Sequence, residues 1–421
     1  MALSDPNLPA GAIVKELENG GAIRNDGVKL RPASENVWYR ILTAYGEQEP
    51  GAFDKELHEK NRRIWNGWAC GHLDEAERVA LAEKAGLHVE ELAPLNAEEQ
   101  RKLEKACGGA EAVPKSSDDV DFSKTHFRNP IGFLKCVVAS SWADFSTAHF
   151  ASWADFSTAH FASWANFRTA HFASEAYFST AHFASWANFR TAHFASWANF
   201  STAEFRNSSD FRGGAFEGPL DFRSARFAGP DARSPLFHNC KMHGDTRFTL
   251  DTTLWPTPTD DNAEDEKEAF TRLRQIMVEL HKPDDQHFFL RREMAAKALM
   301  GPWYDRWITK GYGLIADYGW SMLRPVVGLA ALWVVGWLLM LMQFQWHCVM
   351  GGGVCKSGAF AAGLSFANLF SFLGFGRLYF GDFFRDDPST FVILISAAQN
   401  ILGVIFLFFF GLGLRNRFRL K

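Results

Sequence analysis

Phenylalanine recurs along the middle of the chain at a spacing that alternates between five and six residues. Between residues 143 and 208 nearly the same eleven residues occur six times, as in 154–164 and 187–197. Neither an α-helix nor a flat strand has this period. The pattern therefore predicts short extended segments joined by corners, wound as a β-helix, with one Phe of each segment turned inward. Alanine shares the inward face two residues before every second Phe, at Ala143, Ala154, Ala165, Ala176, Ala187 and Ala198.

The repeat resembles the unit of the pentapeptide-repeat proteins, which is roughly Ala-(Asp/Asn)-Leu-x-x with Leu or Phe at the centre. Residues 154–158 match this unit, residues 159–163 match it more loosely, and Trp164 is an additional sixth residue. The resemblance implies a right-handed, four-sided β-helix. If two eleven-residue units form one turn, residues 120–230 give about five turns.

Two apolar stretches, 325–344 and 390–414, contain no charged residue, and each is long enough to span a bilayer. Basic residues precede the first stretch and follow the second. This distribution predicts a lipid bilayer as a partner, two spans and both termini in the cytoplasm, and we expect the inner membrane of a bacterium. Tryptophans near the expected interfaces fit an aromatic belt, namely Trp303, Trp307, Trp320 and Trp346.

The segments outside the repeat predict helices. Asn96 and Glu99 form a plausible capping box for a helix that ends near Gly108. The predicted organisation is a small helical domain over 1–116, the β-helix over 117–240, a helical connector with a helical hairpin over 241–320, and a two-span membrane region over 321–421. The fold class is therefore mixed.

Histidine recurs at one repeat position, at His149, His160, His171, His182 and His193. Imidazoles are common metal ligands, but this register follows from copying the unit. We therefore expect an outward, solvated ladder divided between two opposite faces. The cluster His238-x-Cys240-x-x-His243 is weak evidence for zinc. We predict no metal, cofactor or catalytic site, because no nucleophile, base and orienting group form a readable arrangement.

The sixth residue of the unit is usually tryptophan, at Trp142, Trp153, Trp164, Trp186 and Trp197. These indoles would either form an exposed row that binds a partner or stack on one another and shield the corner. We predict an interaction surface for an unidentified cytoplasmic protein. Acidic and basic residues nearly balance within the repeat, which argues against nucleic acid as a partner and against DNA mimicry.

The segment between the two apolar stretches resembles the pore helix and filter of two-span potassium channels, which end in Thr-Val-Gly-Tyr-Gly. Gly374, Phe375 and Gly376 match the last three positions, whereas Phe372 replaces the Thr and Arg377 follows. The resemblance implies a homo-oligomeric pore with a re-entrant segment at 364–377. The alternative, which we favour for this segment, is an apolar helix at the membrane interface. Cys348 and Cys355 in the preceding glycine-rich loop are candidates for a disulfide.

Two functions compete on this evidence. The preferred one is a membrane-anchored scaffold whose β-helix presents a cytoplasmic interaction surface. The alternative is an ion channel with the β-helix and the N-terminal domain as a cytoplasmic sensor.

Overall fold

A computed structural model of the chain describes residue 8 and residues 11–229, 231–349, 356–385 and 389–418. The chain forms two compact units. The first comprises Met1–Thr257 and Glu268–Gln286, and the second comprises Pro258–Lys267 and His287–Lys421.

Short strands dominate the first unit. They are β1 (Ile13–Glu16), β2 (Ala22–Arg24), β3 (Lys29–Pro32), β4 (Val120–Asp121), β5 (Thr125–Phe127), β6 (Ile131–Gly132), β7 (Val137–Val138), β8 (Trp142–Asp144), β9 (His149–Phe150), β10 (Ala154–Asp155), β11 (His160–Phe161), β12 (Trp164–Asn166), β13 (His171–Phe172), β14 (Ala176–Tyr177), β15 (His182–Phe183), β16 (Ala187–Asn188), β17 (His193–Phe194), β18 (Ala198–Asn199), β19 (Glu204–Phe205), β20 (Ser209–Asp210), β21 (Ala215–Phe216), β22 (Leu220–Phe222) and β23 (Arg247–Phe248).

Strands β4 to β23 form a β-solenoid of about six turns, which confirms the predicted class and adds one turn to the predicted five. Within the solenoid, strands that are neighbours in a sheet run parallel, and Trp164 pairs with Trp142, so one turn is two eleven-residue units. The chain visits four sheets in a fixed order. The two that carry the histidines, the β5-β9-β13-β17-β21 face and the β7-β11-β15-β19 face, are therefore opposite each other; we call them the first and second His faces.

Four columns of phenylalanine fill the solenoid. Ring centroids along one column lie 4.6 Å apart between Phe150 and Phe172 and 4.7 Å apart between Phe172 and Phe194. Rings of adjacent columns meet edge to face, as Phe167 and Phe178 do at 5.4 Å. Both geometries are favourable for aromatic pairs. The interior is thus an aromatic core, and alanine occupies the remaining space.

Two of the four corners in each turn, those that follow the Asp or Asn positions, share two features. The Asp or Asn side chain accepts a hydrogen bond from the backbone N–H two residues later, as from Ser157 to Asp155 at 2.8 Å. The next residue adopts the left-handed conformation, with φ of 55° at Thr158 and 58° at Thr180. This conformation is rare for β-branched residues, and Gly213 takes the same place one turn after Thr191.

The N-terminal segment covers the first turn with strands as well as helices. Its helices are α1 (Val37–Leu42), α2 (Lys55–Ala69), α3 (Glu75–Ala85) and α4 (Ala97–Cys107). The predicted capping box at Asn96 and Glu99 is present, and α4 ends at Gly108. Strands β1, β2 and β3 extend the first His face, because β3 pairs with β5. The sequence pattern did not predict them, since such short strands show no periodicity without the solenoid edge that completes them.

Aromatic side chains close both ends of the solenoid core. Trp65 on α2 is fully buried and contacts Phe122 and Phe133 of the first turn. At the other end, Trp255 packs on Phe227, and also on Phe270 of α5 (Ala263–Glu279). Helix α6 (Pro283–Lys297) follows α5 after a short turn.

The second unit is helical. Its remaining helices are α7 (Trp303–Ala316), α8 (Leu323–Val349), α9 (Gly358–Leu369), α10 (Phe375–Arg385) and α11 (Thr390–Phe418). Helices α8 and α11 are long and apolar enough to span a membrane, in agreement with the two predicted stretches. Helix α9 packs against both of them.

Candidate functional site

Three tryptophans form a continuous ridge on one edge of the solenoid. Strand alternation places Ala143 inward and Trp142 outward, and each turn repeats this arrangement at Trp164 and Trp186. The ring centroids are 5.1 Å apart between Trp142 and Trp164, and 5.2 Å apart between Trp164 and Trp186. Trp164 remains 41% exposed. We call these three residues the Trp ridge; its rings contact one another at interplanar angles of 44° and 83°, which is tilted and edge-on packing, and the ridge remains partly exposed.

The other two tryptophans lie on the opposite edge and do not form a ridge. Trp153 packs against Phe53 of the N-terminal segment at 5.6 Å, and Trp197 contacts Tyr177 at 5.7 Å. Glu175 lies one turn after Trp153 and one turn before Trp197, so it occupies the position between the two tryptophans. A charged side chain therefore interrupts the apolar surface on this edge.

The predicted solvated histidine ladder is wrong. His149, His160 and His171 are 5%, 2% and 4% exposed. Their division between opposite faces is confirmed, since His149 stacks on His171 at 4.7 Å and His160 stacks on His182 at 4.6 Å. An outward position in a strand becomes buried when the same ring lies above and below it. On the first His face, Arg24 adds cover by donating hydrogen bonds to the backbone oxygens of Thr147 and Thr169.

Burial keeps these imidazoles neutral. It lowers the pKa of His149 to about 2, with further lowering by His171, His126 and Arg24. The pKa of His160 falls to about 3 because of burial and then of His182, Arg206 and Lys84. Burial also lowers the pKa of His171 to about 3. Parallel rings stacked face to face do not direct their nitrogens at one point, so the ladder is a packing device.

The side chains of His238, Cys240 and His243 are not arranged as zinc ligands. The Cys240 thiol donates to the backbone oxygen of Phe211, and burial raises its pKa to about 12. A metal-binding cysteine is a thiolate, and this thiol is held protonated. Among the residues that the structure describes, no group of three His, Cys, Asp or Glu side chains is arranged to hold a metal ion.

The candidate pore segment has a helical backbone. Gly374 is in the left-handed conformation after a short 3₁₀ helix, and Phe375 and Gly376 form the first turn of α10. Their carbonyls point along a helix and do not form an extended filter strand. A pocket of about 550 Å³ beside them is lined in part by Asn368, Gly374, Gly376, Arg377 and Asn400.

A buried polar network, which the sequence analysis missed, joins α8, α9 and α11. Gln399 donates to the hydroxyl of Ser365 at 2.7 Å and to the backbone oxygen of Leu332 at 3.0 Å. Asn368 donates to Ser396 at 3.0 Å and to Gln399 at 3.2 Å. The sequence does contain a signal for this network. Two polar pairs with a spacing of three residues interrupt the apolar segments, namely Ser365 with Asn368 and Ser396 with Gln399.

Cys348, near the end of α8, is disulfide-bonded. The partner predicted for it, Cys355, lies outside the residues that the structure describes, so the pairing itself stays a prediction.

Comparison with known proteins finds no matching family model, no matching curated protein and no matching solved structure. The functional conclusion therefore depends on the geometry of this chain.

Proposed function

We propose that this protein is a membrane-anchored scaffold of the pentapeptide-repeat type. Helices α8 and α11 anchor it in the inner membrane of a bacterium with both termini in the cytoplasm, and the Trp ridge binds a cytoplasmic protein. The observation that carries the proposal is the ridge itself, in which consecutive turns present indoles that contact one another and remain partly exposed on one edge.

Several properties suit the Trp ridge to a protein partner. Tryptophan is enriched in interface hot spots because a large rigid ring buries much area at a small entropic cost. The rings pack against one another before any partner binds, which reduces that cost further. Outward Asp144 and Asn166 lie in the same strands as the ridge and would supply a polar rim.

Photocrosslinking in living cells tests the scaffold. A photoreactive amino acid at position 164 should give one dominant crosslinked protein, whereas the same residue at position 197 on the opposite edge should not. Binding of the purified partner should then fall at least tenfold when Trp142, Trp164 and Trp186 are changed to Ser, because a ridge anchor contributes on the order of 2 kcal/mol. Ser208 occupies the equivalent position in the following turn, so the replacement is compatible with the fold.

The matched control changes Trp153 and Trp197 to Ser. Equal loss of binding in the two variants would contradict the assignment of the ridge, since the control leaves it intact.

A pore is the second candidate. The pocket beside Gly374 and Gly376 supports it, because Asn368, Arg377 and Asn400 line it and polar groups within membrane segments often mark ion pathways. Full-length protein in a planar bilayer should then give discrete currents. A Cβ at Gly376 meets no other atom within 4 Å, so Gly376→Phe tests the pocket with little harm to the fold.

Gly411→Phe is the control on α11, where a Cβ is equally free of contacts. Currents that Gly376→Phe abolishes and Gly411→Phe preserves would favour the pore. Silence from folded and inserted protein would exclude it.

A further inference from the structure

Helix α7 turns its apolar side away from the unit it belongs to. The exposed fractions are 73% for Trp303, 70% for Trp307, 68% for Ile308 and 77% for Leu314. At 100° per residue these side chains and Tyr304 fall within an arc of about 140°. A surface helix of a globular protein normally packs such an arc against the core.

The other side of α7 is fixed to the ends of the two long apolar helices. Tyr312 stacks on Phe409 of α11 at 5.4 Å, and Ala316 is fully buried. Arg324, at the start of α8, donates to the backbone oxygen of Gly313 at 2.8 Å. Asn416, near the end of α11, donates to the backbone oxygen of Gly319 at 2.9 Å.

These contacts place α7 at the level where α8 begins and α11 ends. The exposed arc therefore lies at one end of the two helices proposed to span the bilayer.

Basic side chains surround the same level. Lys310 lies on α7 at the edge of the exposed arc, and Arg415 and Arg417 lie in the last turn of α11. Within the described part of the chain, these three side chains have no carboxylate partner, whereas Arg306 is paired with Asp260 at 3.4 Å. Three unpaired cations beside an aromatic face match the headgroup region of a membrane with anionic lipids.

We propose that α7 lies in the membrane interface, with its Trp303 and Trp307 face at the boundary of the acyl chains and with Lys310, Arg415 and Arg417 binding anionic lipid headgroups. The inference rests on the proposed membrane placement of α8 and α11. Tryptophan suits this depth because its ring is apolar and its N–H is polar.

Accessibility of spin labels tests the position of α7 separately from the anchor. Full-length protein, with Cys348 and Cys355 replaced by Ser, is placed in vesicles of phosphatidylcholine and phosphatidylglycerol. The free cysteines that the structure describes are buried, so a single introduced cysteine is labelled. Leu338→Cys on α8 reports the anchor, Trp307→Cys reports the exposed arc, and Asp305→Cys on the other side of α7 is the control.

Oxygen should relax the spin label at position 338, and a water-soluble nickel complex should not, because this position is expected to lie in lipid. The label at 307 should also be relaxed more by oxygen than by nickel, and the label at 305 more by nickel. Nickel access at 307 with lipid burial at 338 would overturn the inference and leave the anchor intact. Nickel access at both positions would overturn both. Dipolar broadening at 307 that disappears when the protein is diluted in lipid would assign the arc to a second copy of the chain and would also overturn the inference.

The headgroup contact is tested with Lys310→Gln, Arg415→Gln and Arg417→Gln combined. Preference for phosphatidylglycerol over phosphatidylcholine in the bound lipid should fall at least tenfold, since one interfacial cation contributes about fivefold. An unchanged preference would refute the headgroup contact. Millimolar inorganic phosphate should not compete; full competition would assign these cations to free phosphate instead of lipid.

Discussion

The solenoid and the helical unit distribute polarity in opposite ways. The solenoid encloses phenylalanine and alanine and turns Asp, Asn, Ser and Thr outward, whereas α8 and α11 expose apolar side chains such as Leu338 and Leu394 and enclose the network around Gln399. In each unit the interior holds the side chains that make the closest contacts. The polarity of the outer surface matches its surroundings, which for the helical unit we propose to be lipid.

The two interiors also achieve close packing by different means. In the solenoid, identical rings repeat at one spacing, so each Phe column is held by copies of itself. In the helical unit, small residues bring helices together: a Cβ on Gly403 would lie 2.7 Å from the backbone oxygen of Leu369. Such close approach is typical of helix pairs in membranes.

The largest effect is expected from a cavity in the aromatic core. Phe178 is fully buried and stacks on Phe156 at 4.8 Å and on Phe200 at 4.7 Å. Phe178→Ala should lower the free energy of unfolding of the solenoid by about 3–5 kcal/mol. Hydrogen exchange of solenoid peptides, measured on the full chain in micelles, reports this loss. Leu338→Ala is the control in the other unit, because its side chain is 52% exposed there and should cost little. Equal losses would remove the distinction between the two interiors.

Acid should weaken the solenoid and not the helical unit. The pKa values of His149, His160 and His171 are lowered to about 2, 3 and 3 by burial, so the unfolded chain binds these protons first. The pKa of a histidine in the unfolded chain is about 6.5. The free energy of unfolding of the solenoid is therefore greatest above this pH and decreases as the pH drops below it. Between pH 8 and pH 6 each of these histidines should lower the free energy of unfolding by about 0.8 kcal/mol, and the three together should lower it by about 2.5 kcal/mol.

His160→Val tests the assignment of this acid effect. Val137 occupies the equivalent ladder position in the preceding turn, so valine fits there. The variant should lose about 0.8 kcal/mol of the change in the free energy of unfolding between pH 8 and pH 6, which is the contribution of one histidine. An unchanged dependence would show that other groups cause it.

The polar network is expected to contribute less than the aromatic core. Gln399→Met keeps the length of the side chain and removes the hydrogen bonds to Ser365 and Leu332. The free energy of unfolding in micelles should fall by about 1–2 kcal/mol, because two hydrogen bonds are lost and each contributes about 0.6 kcal/mol or more between membrane helices. Asn400→Leu at the next position should be neutral, because its carbonyl oxygen has no described partner. A loss at Asn400 as large as that at Gln399 would contradict the special role of the network.

The smallest effect concerns the corners. Thr158→Gly removes the strain of a β-branched residue in the left-handed conformation, which should stabilise the solenoid by about 1–2 kcal/mol. Glycine also gives the unfolded chain more backbone freedom, which should destabilise the solenoid by about 0.5–1 kcal/mol. The net gain should be about 0.5–1 kcal/mol in urea unfolding. Thr180→Gly should gain less, since it also removes the hydrogen bond to Thr202 at 2.9 Å. The opposite order would mean that strain does not limit the corners.

The sequence predicted the features that depend on period alone. The spacing of Phe led to the solenoid and its inward residues, the resemblance to the pentapeptide-repeat proteins implied its four sides, and uncharged length led to α8 and α11. The burial of His149 escaped prediction because alternation only gives a direction, while burial depends on neighbours one turn away and on Arg24. The left-handed corners escaped it because threonine has no local preference for them, and the network at Gln399 because it joins three helices distant in sequence.

The pairing of Trp164 with Trp142 also limits how this chain can change length. Loss or gain of a single eleven-residue unit would carry every later residue halfway around the axis, so that indoles and Glu175 would exchange edges and the two His faces would mix. Loss or gain of two units would leave each column continuous and only alter the number of its members. A lineage that retains the Trp ridge is thus restricted to even steps, and lengths among its descendants should differ by multiples of one complete turn.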